Sequence, residues 1–202
     1  MSTPEPIVVS YHTPDPFYAN HAARLRESLR VRRVQHVIAC LEPAGQTWHL
    51  RCQAKAGFIA RMQAAFPDRI VIWIDADGEL IEPKDEFMQA IPHLNYGGIA
   101  AYRNLTPERT KAFPLINSTL MSGTLAFAPG SEQYLKAWMR NTAHASPDEY
   151  DQELLARVLD RLQPSEFKQL DPRLVCVPDL MPGVDPIVLH HQASRDPASG
   201  KR

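Results

Sequence analysis

Five apolar residues, Ile70-Val71-Ile72-Trp73-Ile74, run without polar interruption into Asp75-Ala76-Asp77-Gly78. A run this short and this apolar reads as a strand covered on both faces, as in the centre of an α/β sheet. Such sheets bind their ligands beyond the carboxyl ends of the strands. In extended geometry residues i and i+2 point the same way, so Asp75 and Asp77 are expected to converge on one cation. Hard oxygen ligands with open positions suit Mg²⁺ or Mn²⁺ held jointly with phosphate.

The motif by itself admits several chemistries. A metal–diphosphate site of the Asp-x-Asp kind is one. A phosphatase nucleophile loop of the haloacid-dehalogenase type is another, but Glu79 stands where that loop has threonine, and no Asp-Asp pair follows downstream. A calcium loop fails, because with Gly78 at its turn its first ligand would be Trp73 and its twelfth Lys84. A solvated acidic turn at a strand end is the plainest reading.

The flanking pattern supplies the fold class. Ile7 to Tyr11 reads as a first strand, Phe17 to Leu29 as a helix, Val34 to Leu41 as a second strand, and Thr47 to Phe66 as one long helix. With the Asp-x-Asp strand third, the order is β-α-β-α-β, which demands a mostly parallel sheet with right-handed crossovers. Further on, the sequence predicts a short helix at Lys84 to Ile91, a strand at Tyr96 to Tyr102, and an irregular loop from Arg103 to Pro114. A small-residue turn at Ser122-Gly123 leads into a strand from Thr124 to Ala128. Ser131 is placed to cap a helix ending at Thr142, and an acidic turn from Ser146 opens another that reaches Leu162. Phe167–Asp171 and Leu174–Val177 read as short strands, and a last strand from Ile187 ends in His190-His191.

At 202 residues the chain is expected to form one domain, residues 1–195, with a disordered tail at 196–202. A net charge of −1 gives no reason to expect tight nonspecific binding to nucleic acid. Arg24 to Arg33 is arginine-rich, but Glu27 interrupts it, as in a solvated helix face. Three scattered cysteines, Cys40, Cys52 and Cys176, show no zinc spacing and fit reduced thiols in a cytoplasmic setting. The amino terminus lacks the basic start and apolar core of a signal peptide, and no apolar run is long enough to span a membrane.

Several side chains stand where a ligand could meet them. Tyr11 and Thr13 end the first strand and could meet a nucleotide base or ribose. Arg51 and Lys55 lie one helical turn apart and could pair with pyrophosphate. Gly123 would let backbone approach a ligand closely, and Ser122 offers a hydroxyl. Asp151 and Gln152 are candidates for a sugar contact or a general base. Adjacent residues on a strand point oppositely, so only one of His190 and His191 can reach a given site.

Taken in order, Asp75-Ala76-Asp77, Met121-Ser122-Gly123-Thr124-Leu125, Asp151-Gln152 and His190 resemble small nucleotide-diphospho-sugar glycosyltransferases of the glycosyltransferase-A fold, in particular the glycogenin-like group. The resemblance runs from Ile7 to Arg195; Ser122 stands where many relatives have asparagine, and the chain is shorter than most. It implies a single Rossmann-like α/β domain with a mostly parallel mixed central sheet flanked by helices. It also implies a hexosyltransferase-type enzyme that uses Mn²⁺ or Mg²⁺ and a nucleotide-diphosphate sugar, a uridine diphosphate sugar foremost. Asp77 and His190 would hold the metal, with Asp75 shared between metal and ribose. Lys55 and Arg51 would face the diphosphate, Tyr11 and Thr13 the base, and Ser122 and Gly123 the sugar. Asp151 would be the base if the reaction inverts, with Gln152 beside it. The acceptor would be a glycan foremost, with a modified DNA base as the minority reading; the alternatives to a transferase are a haloacid-dehalogenase-type phosphatase with Asp75 as nucleophile and a non-catalytic nucleotide-sugar-binding domain on the same fold.

Overall fold

The computed structural model describes residues 5–42, 48–104, 120–146 and 149–196. Its centre is a six-stranded sheet: β1 (Ile7–His12), β2 (His36–Cys40), β3 (Val71–Ile74), β5 (Ile99–Arg103), β6 (Leu120–Phe127) and β7 (Phe167–Gln169). The strand order is β2-β1-β3-β6-β5-β7. Pairings β1–β2, β1–β3 and β5–β7 are parallel, whereas β6 runs antiparallel to both β3 and β5. Five strands therefore share one direction and β6 opposes them, which is the mostly parallel mixed sheet the sequence implied. Beside it lies a two-stranded ribbon of β4 (Gly78–Leu80) and β8 (Val188–His190).

Alternation along the strands builds two apolar layers. Ile7, Val9, Val71, Trp73, Leu125 and Phe127 face one layer, made with α3 (Lys55–Ala65), α5 (Glu132–Ala143) and α6 (Asp151–Leu159). Val8, Ile72, Ile74 and Ala126 face the other, made with α1 (Pro16–Val31) and α4 (Lys84–Ala90). Ile72 and Ile74 are fully covered, and each such side chain contributes about 1.5–3 kcal/mol of transfer free energy.

Several local expectations change. The long helix divides into α2 (Trp48–Gln53) and α3. The division falls where the Gln53 amide donates to the carbonyls of Ser146 and Glu149 and Lys55 turns into the protein interior; Thr47 lies outside the described residues. Ser122 and Gly123 lie inside β6 rather than in a turn before it, because Leu120 and Met121 already pair with Arg103 and Tyr102. Ser131 precedes α5 but its side chain makes no capping bond. Helix α6 begins at Asp151, not at Ser146, and the Ser146 N–H is taken by the Glu149 carboxylate instead.

The strand expected at Leu174–Val177 is a 3₁₀ turn, Pro172–Val175, with Pro172 in its first turn and the Asp171 carboxylate accepting from Arg173 N–H. Only a single bridge, Cys176 to Leu189, remains of strand character there. The strand expected from Tyr96 begins only at Ile99, because Tyr96 and Gly97 form a turn in which Gly97 takes a positive φ of 80°. Most of the loop expected from Arg103 to Pro114, together with Asn117–Thr119 and residues 197–202 of the tail, lies outside the described residues. Among the described residues no helix is long and apolar enough to cross a membrane, and the three cysteines are free thiols.

Candidate active site

The carboxyl ends of β1 and β3 point the same way, and antiparallel β6 brings its opening residues to that end. Around this meeting point is a cleft of about 420 Å³. It is lined by all eleven candidate site residues: Tyr11, Thr13, Arg51, Lys55, Asp75, Asp77, Ser122, Gly123, Asp151, Gln152 and His190.

Asp75 and Asp77 do not converge as an extended strand would bring them. The strand stops at Ile74, and the chain turns so that Gly78 N–H donates to the Asp75 carbonyl at 2.8 Å. The turn sends the two carboxylates to different partners. Asp75 keeps the strand parity of Trp73, on the layer of α3 and α6, and its Oδ1 accepts from Trp73 Nε1 at 2.7 Å. The Lys55 ammonium lies 2.9 Å from that same oxygen and 2.7 Å from Asp151 Oδ2. It also donates to the Ser122 carbonyl and hydroxyl, each at 3.3 Å, while the Ser122 hydroxyl donates to Asp151 Oδ2 at 3.0 Å.

Lys55 is 4% exposed and Asp151 5%. A buried charge is stable only when paired and hydrogen-bonded, and this array meets that condition. Burial alone would push the Lys55 pKa down, but Asp151 and Asp75 overcome it and hold the group well above its ordinary value. Burial pushes the Asp75 carboxyl up, against the pull of Lys55. Lys55 also lies 5.3 Å from the centroid of the Trp73 ring, within cation–π range.

Asp77 faces the other way. Its backbone carbonyl accepts from His191 N–H at 3.1 Å, and its Oδ2 accepts from Ala193 N–H at 2.8 Å. Its Oδ1 is 3.7 Å from His190 Nδ1. Burial would raise the Asp77 pKa, but the His190 imidazole and the Ala193 N–H outweigh it and hold the carboxyl below its ordinary range. His190 Nε2 is 2.9 Å from the Thr124 hydroxyl, which fixes the ring plane. Strand phase thus selects between the two histidines. His190 is buried in the cleft wall, whereas His191 pairs with Glu79 at 2.8 Å on the far side of the ribbon.

At the other end of the cleft Tyr11 packs on Trp73 and Phe58, each ring centroid 5.2 Å away. Its hydroxyl donates to the Arg51 carbonyl, and burial pushes the phenol pKa well up, so it stays protonated. The Thr13 hydroxyl donates to Asp15, which also caps α1 through Tyr18 N–H. Both residues line the cleft, with one polar group of each already engaged.

Further lining residues were not evident from the sequence. Trp73 is legible there only as a core strand residue, yet it underlies Asp75. Tyr18, Leu180, Gln192 and Arg195 reach the cleft from α1 and from the segments around β8. Arg195 pairs with Asp179 at 2.9 Å; its place three residues beyond Gln192 carried no periodic signal.

Among the described residues no three His, Cys, Asp or Glu side chains form a ready metal cage. The donor set at Asp77 nevertheless fits a divalent cation that brings further ligands. It offers a hard carboxylate oxygen and an imidazole nitrogen, with Asp75 across the turn and the remaining positions open to the cleft.

No sequence family matches this chain, and no curated protein does. Its fold matches solved glycosyltransferases. A glycosyltransferase involved in glycosylation of the major capsid of PBCV-1 superposes with a TM-score of 0.74 at 16% identity, covering 97% of this chain and 98% of that one. Mouse xyloside xylosyltransferase 1 gives 0.54 at 11% identity, covering 96% and 99%. The galactosyltransferase LgtC, solved with donor and acceptor sugar analogs, gives 0.54 at 11% identity, covering 92% and 87%.

Proposed function

We propose that the chain is a metal-dependent glycosyltransferase that moves a sugar from a nucleotide-diphosphate donor, uridine diphosphate foremost, to a glycan hydroxyl. The observation that carries this reading is the cleft itself. One cation-binding half (Asp77 and His190) and one hydroxyl-binding half (Ser122, Asp151 and Lys55) meet across Asp75 at the carboxyl end of the sheet. The likeness of fold to solved glycosyltransferases supports sugar transfer over phosphoester hydrolysis by Asp75.

In this reading Asp77 and His190 hold Mn²⁺ or Mg²⁺ together with the donor diphosphate. The chemistry such a cation would supply there is Lewis-acid stabilisation of the leaving nucleoside diphosphate. With its proton on Nε2, His190 would donate to the Thr124 hydroxyl 2.9 Å away and leave Nδ1 for the cation; a partner on the second ring nitrogen commonly orients metal-bound histidine. Tyr11 and Thr13 bound the base. Lys55 is engaged by Asp75 and Asp151, so it acts as an internal counter-ion that orders both carboxylates rather than as a free phosphate ligand. Arg51, whose buried Nε lacks a partner among the described residues, remains to meet phosphate charge, as does Arg195, whose pair with Asp179 is solvent-exposed and readily exchanged.

Asp151 carries the donor sugar. Its Oδ2 receives both Lys55 and Ser122, which ill suits a base that must take a proton from an acceptor. A retaining reaction requires no such base, because the leaving phosphate can accept that proton, and the array favours that course. The anomeric configuration of the product tests it.

The site itself is tested by thermal unfolding with Mn²⁺ and a panel of nucleoside diphosphates and nucleotide sugars, repeated on Asp77→Ala. Ligand at about 100 times Kd adds about 2.7 kcal/mol of stability. Metal-dependent stabilisation by one nucleotide, abolished in the variant, is expected. Indifference of the wild type to every nucleotide would overturn the reading.

A further inference from the structure

Strand β4, which follows Asp77 directly, has a strand partner on one edge only among the described residues. Toward β8 it bonds in the antiparallel manner, continued by His191 N–H to the Asp77 carbonyl and by Ile81 N–H to the Ile187 carbonyl at 2.8 Å. In such a ladder alternate residues turn their N–H and C=O groups to the other edge. That outer edge meets helix α1, not a strand. The Leu80 N–H donates to the Ser28 hydroxyl at 3.0 Å, and the same hydroxyl donates to the Leu25 carbonyl at 2.8 Å. One helical turn on, the Arg32 guanidinium donates to the carbonyls of Ile81 and Glu82, the latter at 2.8 Å. Ser28 is 6% exposed, so its bond to Leu80 is shielded from competing water.

We infer that Ser28 and Arg32 are positioning residues for Asp77, and that α1 serves as the missing edge partner of the ribbon that carries it. The inference rests on the metal–diphosphate reading of the cleft. Asp77 sits at the end of a turn and of a three-residue strand, so the turn alone leaves its carboxylate free to swing. The β8 edge holds one side of the ribbon, and Ser28 of α1 with its C-cap residue Arg32 holds the other. The Arg32 guanidinium also donates to the Ser28 carbonyl at 3.3 Å, which keeps the two side chains together at this end of the helix. Neither residue touches the cleft, so any effect on ligand passes through Asp77.

The test is calorimetric titration of the folded protein, well below its unfolding temperature, with Mn²⁺ in the presence of uridine diphosphate and with uridine diphosphate alone. The variants are Ser28→Ala, Ser28→Thr and Arg32→Met. In Ser28→Ala the Mn²⁺ concentration for half-saturation is expected to rise at least tenfold, the range seen when outer partners of metal ligands are removed. Metal-free nucleotide binding should stay unchanged, and Ser28→Thr, which retains the hydroxyl, should recover most of the loss. Arg32→Met, at a half-buried position, gives the same reading should Ser28→Ala fold poorly. A lowered unfolding temperature with unaltered Mn²⁺ dependence would reduce the brace to a purely structural role and overturn the inference. Absence of any Mn²⁺ dependence in the wild type would overturn the metal reading, and this inference with it.

Discussion

A Cβ built on Gly123 would lie 2.9 Å from Cε1 of His190, closer than real side chains approach. The imidazole therefore occupies the space that any larger residue in this strand would claim. Gly123→Ala is expected to push the His190 ring off Thr124 and away from Asp77. Overpacking of this kind costs about 1–3 kcal/mol. Urea unfolding should show a folded protein within that loss, whereas Mn²⁺-dependent stabilisation by nucleotide should disappear. Retention of that stabilisation would separate His190 from the metal.

The two adjacent histidines should behave oppositely. His190→Ala should abolish metal-dependent nucleotide binding. His191→Ala removes a partly exposed pair with Glu79; such pairs contribute about 0–1 kcal/mol, and binding should persist. Equal losses in both variants would contradict the strand phase seen here.

Lys55→Met should be severe. It leaves Asp151 buried without its counter-charge, and breaking a buried ion pair from one side costs about 3–5 kcal/mol. Adding Asp151→Asn to the same chain should recover part of that loss, because the stranded charge is gone. Urea midpoints of the single and double variants measure the coupling; strict additivity would show that the pair does not act as a unit.

Gly78→Ala probes the turn rather than the site. Its Cβ would collide with the Ile74 side chain and stand 3.1 Å from the Asp75 carbonyl oxygen, a backbone atom that cannot swing aside. A loss of about 1–3 kcal/mol or more is expected by urea unfolding. A neutral result would mean that the Asp75–Gly78 turn relaxes freely.

Acid stability should depend on Asp171. Burial works to raise its pKa, but the Arg173 guanidinium and the Arg173 N–H outweigh this and hold the carboxyl below its ordinary range. A depressed carboxylate contributes stability above its unfolded pKa, about 3.9, and loses it as pH falls through the lower folded value. The stability gap between wild type and Asp171→Asn should be constant above about pH 5 and close as pH drops below about 3.9. A gap that widens toward acid would reverse the sign and refute the assignment.

The apolar run at Ile70–Ile74, the β-α-β-α-β opening and the late strand ending at His190 were legible because period and length are local properties. The same holds for the residue types of the cleft. Asp75, Asp77, Ser122, Gly123, Asp151 and His190 fall on strand ends, on β6 and on a helix start, and one parallel sheet edge gathers such positions. Less legible were elements whose form depends on a distant partner. Strand β4 exists because β8 and α1 flank it. Residues 174–175 form a 3₁₀ turn because Pro172 and the Asp171 cap bend the chain before it can pair. Ser122-Gly123 reads as a turn in isolation and is strand because β3 and β5 lie on either side.

The sequence by itself determined the α/β alternation, the strand that ends in two carboxylates and the set of polar residues available for chemistry, since each follows from local patterning of side chains. Only the tertiary structure decided what those residues do to one another. The turn after Ile74 divides Asp75 from Asp77, giving the first to Lys55 and the second to His190. Helix α3 buries Lys55 between two carboxylates that lie 20 and 96 positions further along the chain, where its charge orders the site and is not offered to solvent. Charges find partners through space, and a buried lysine takes the carboxylates that the packed layers bring within reach.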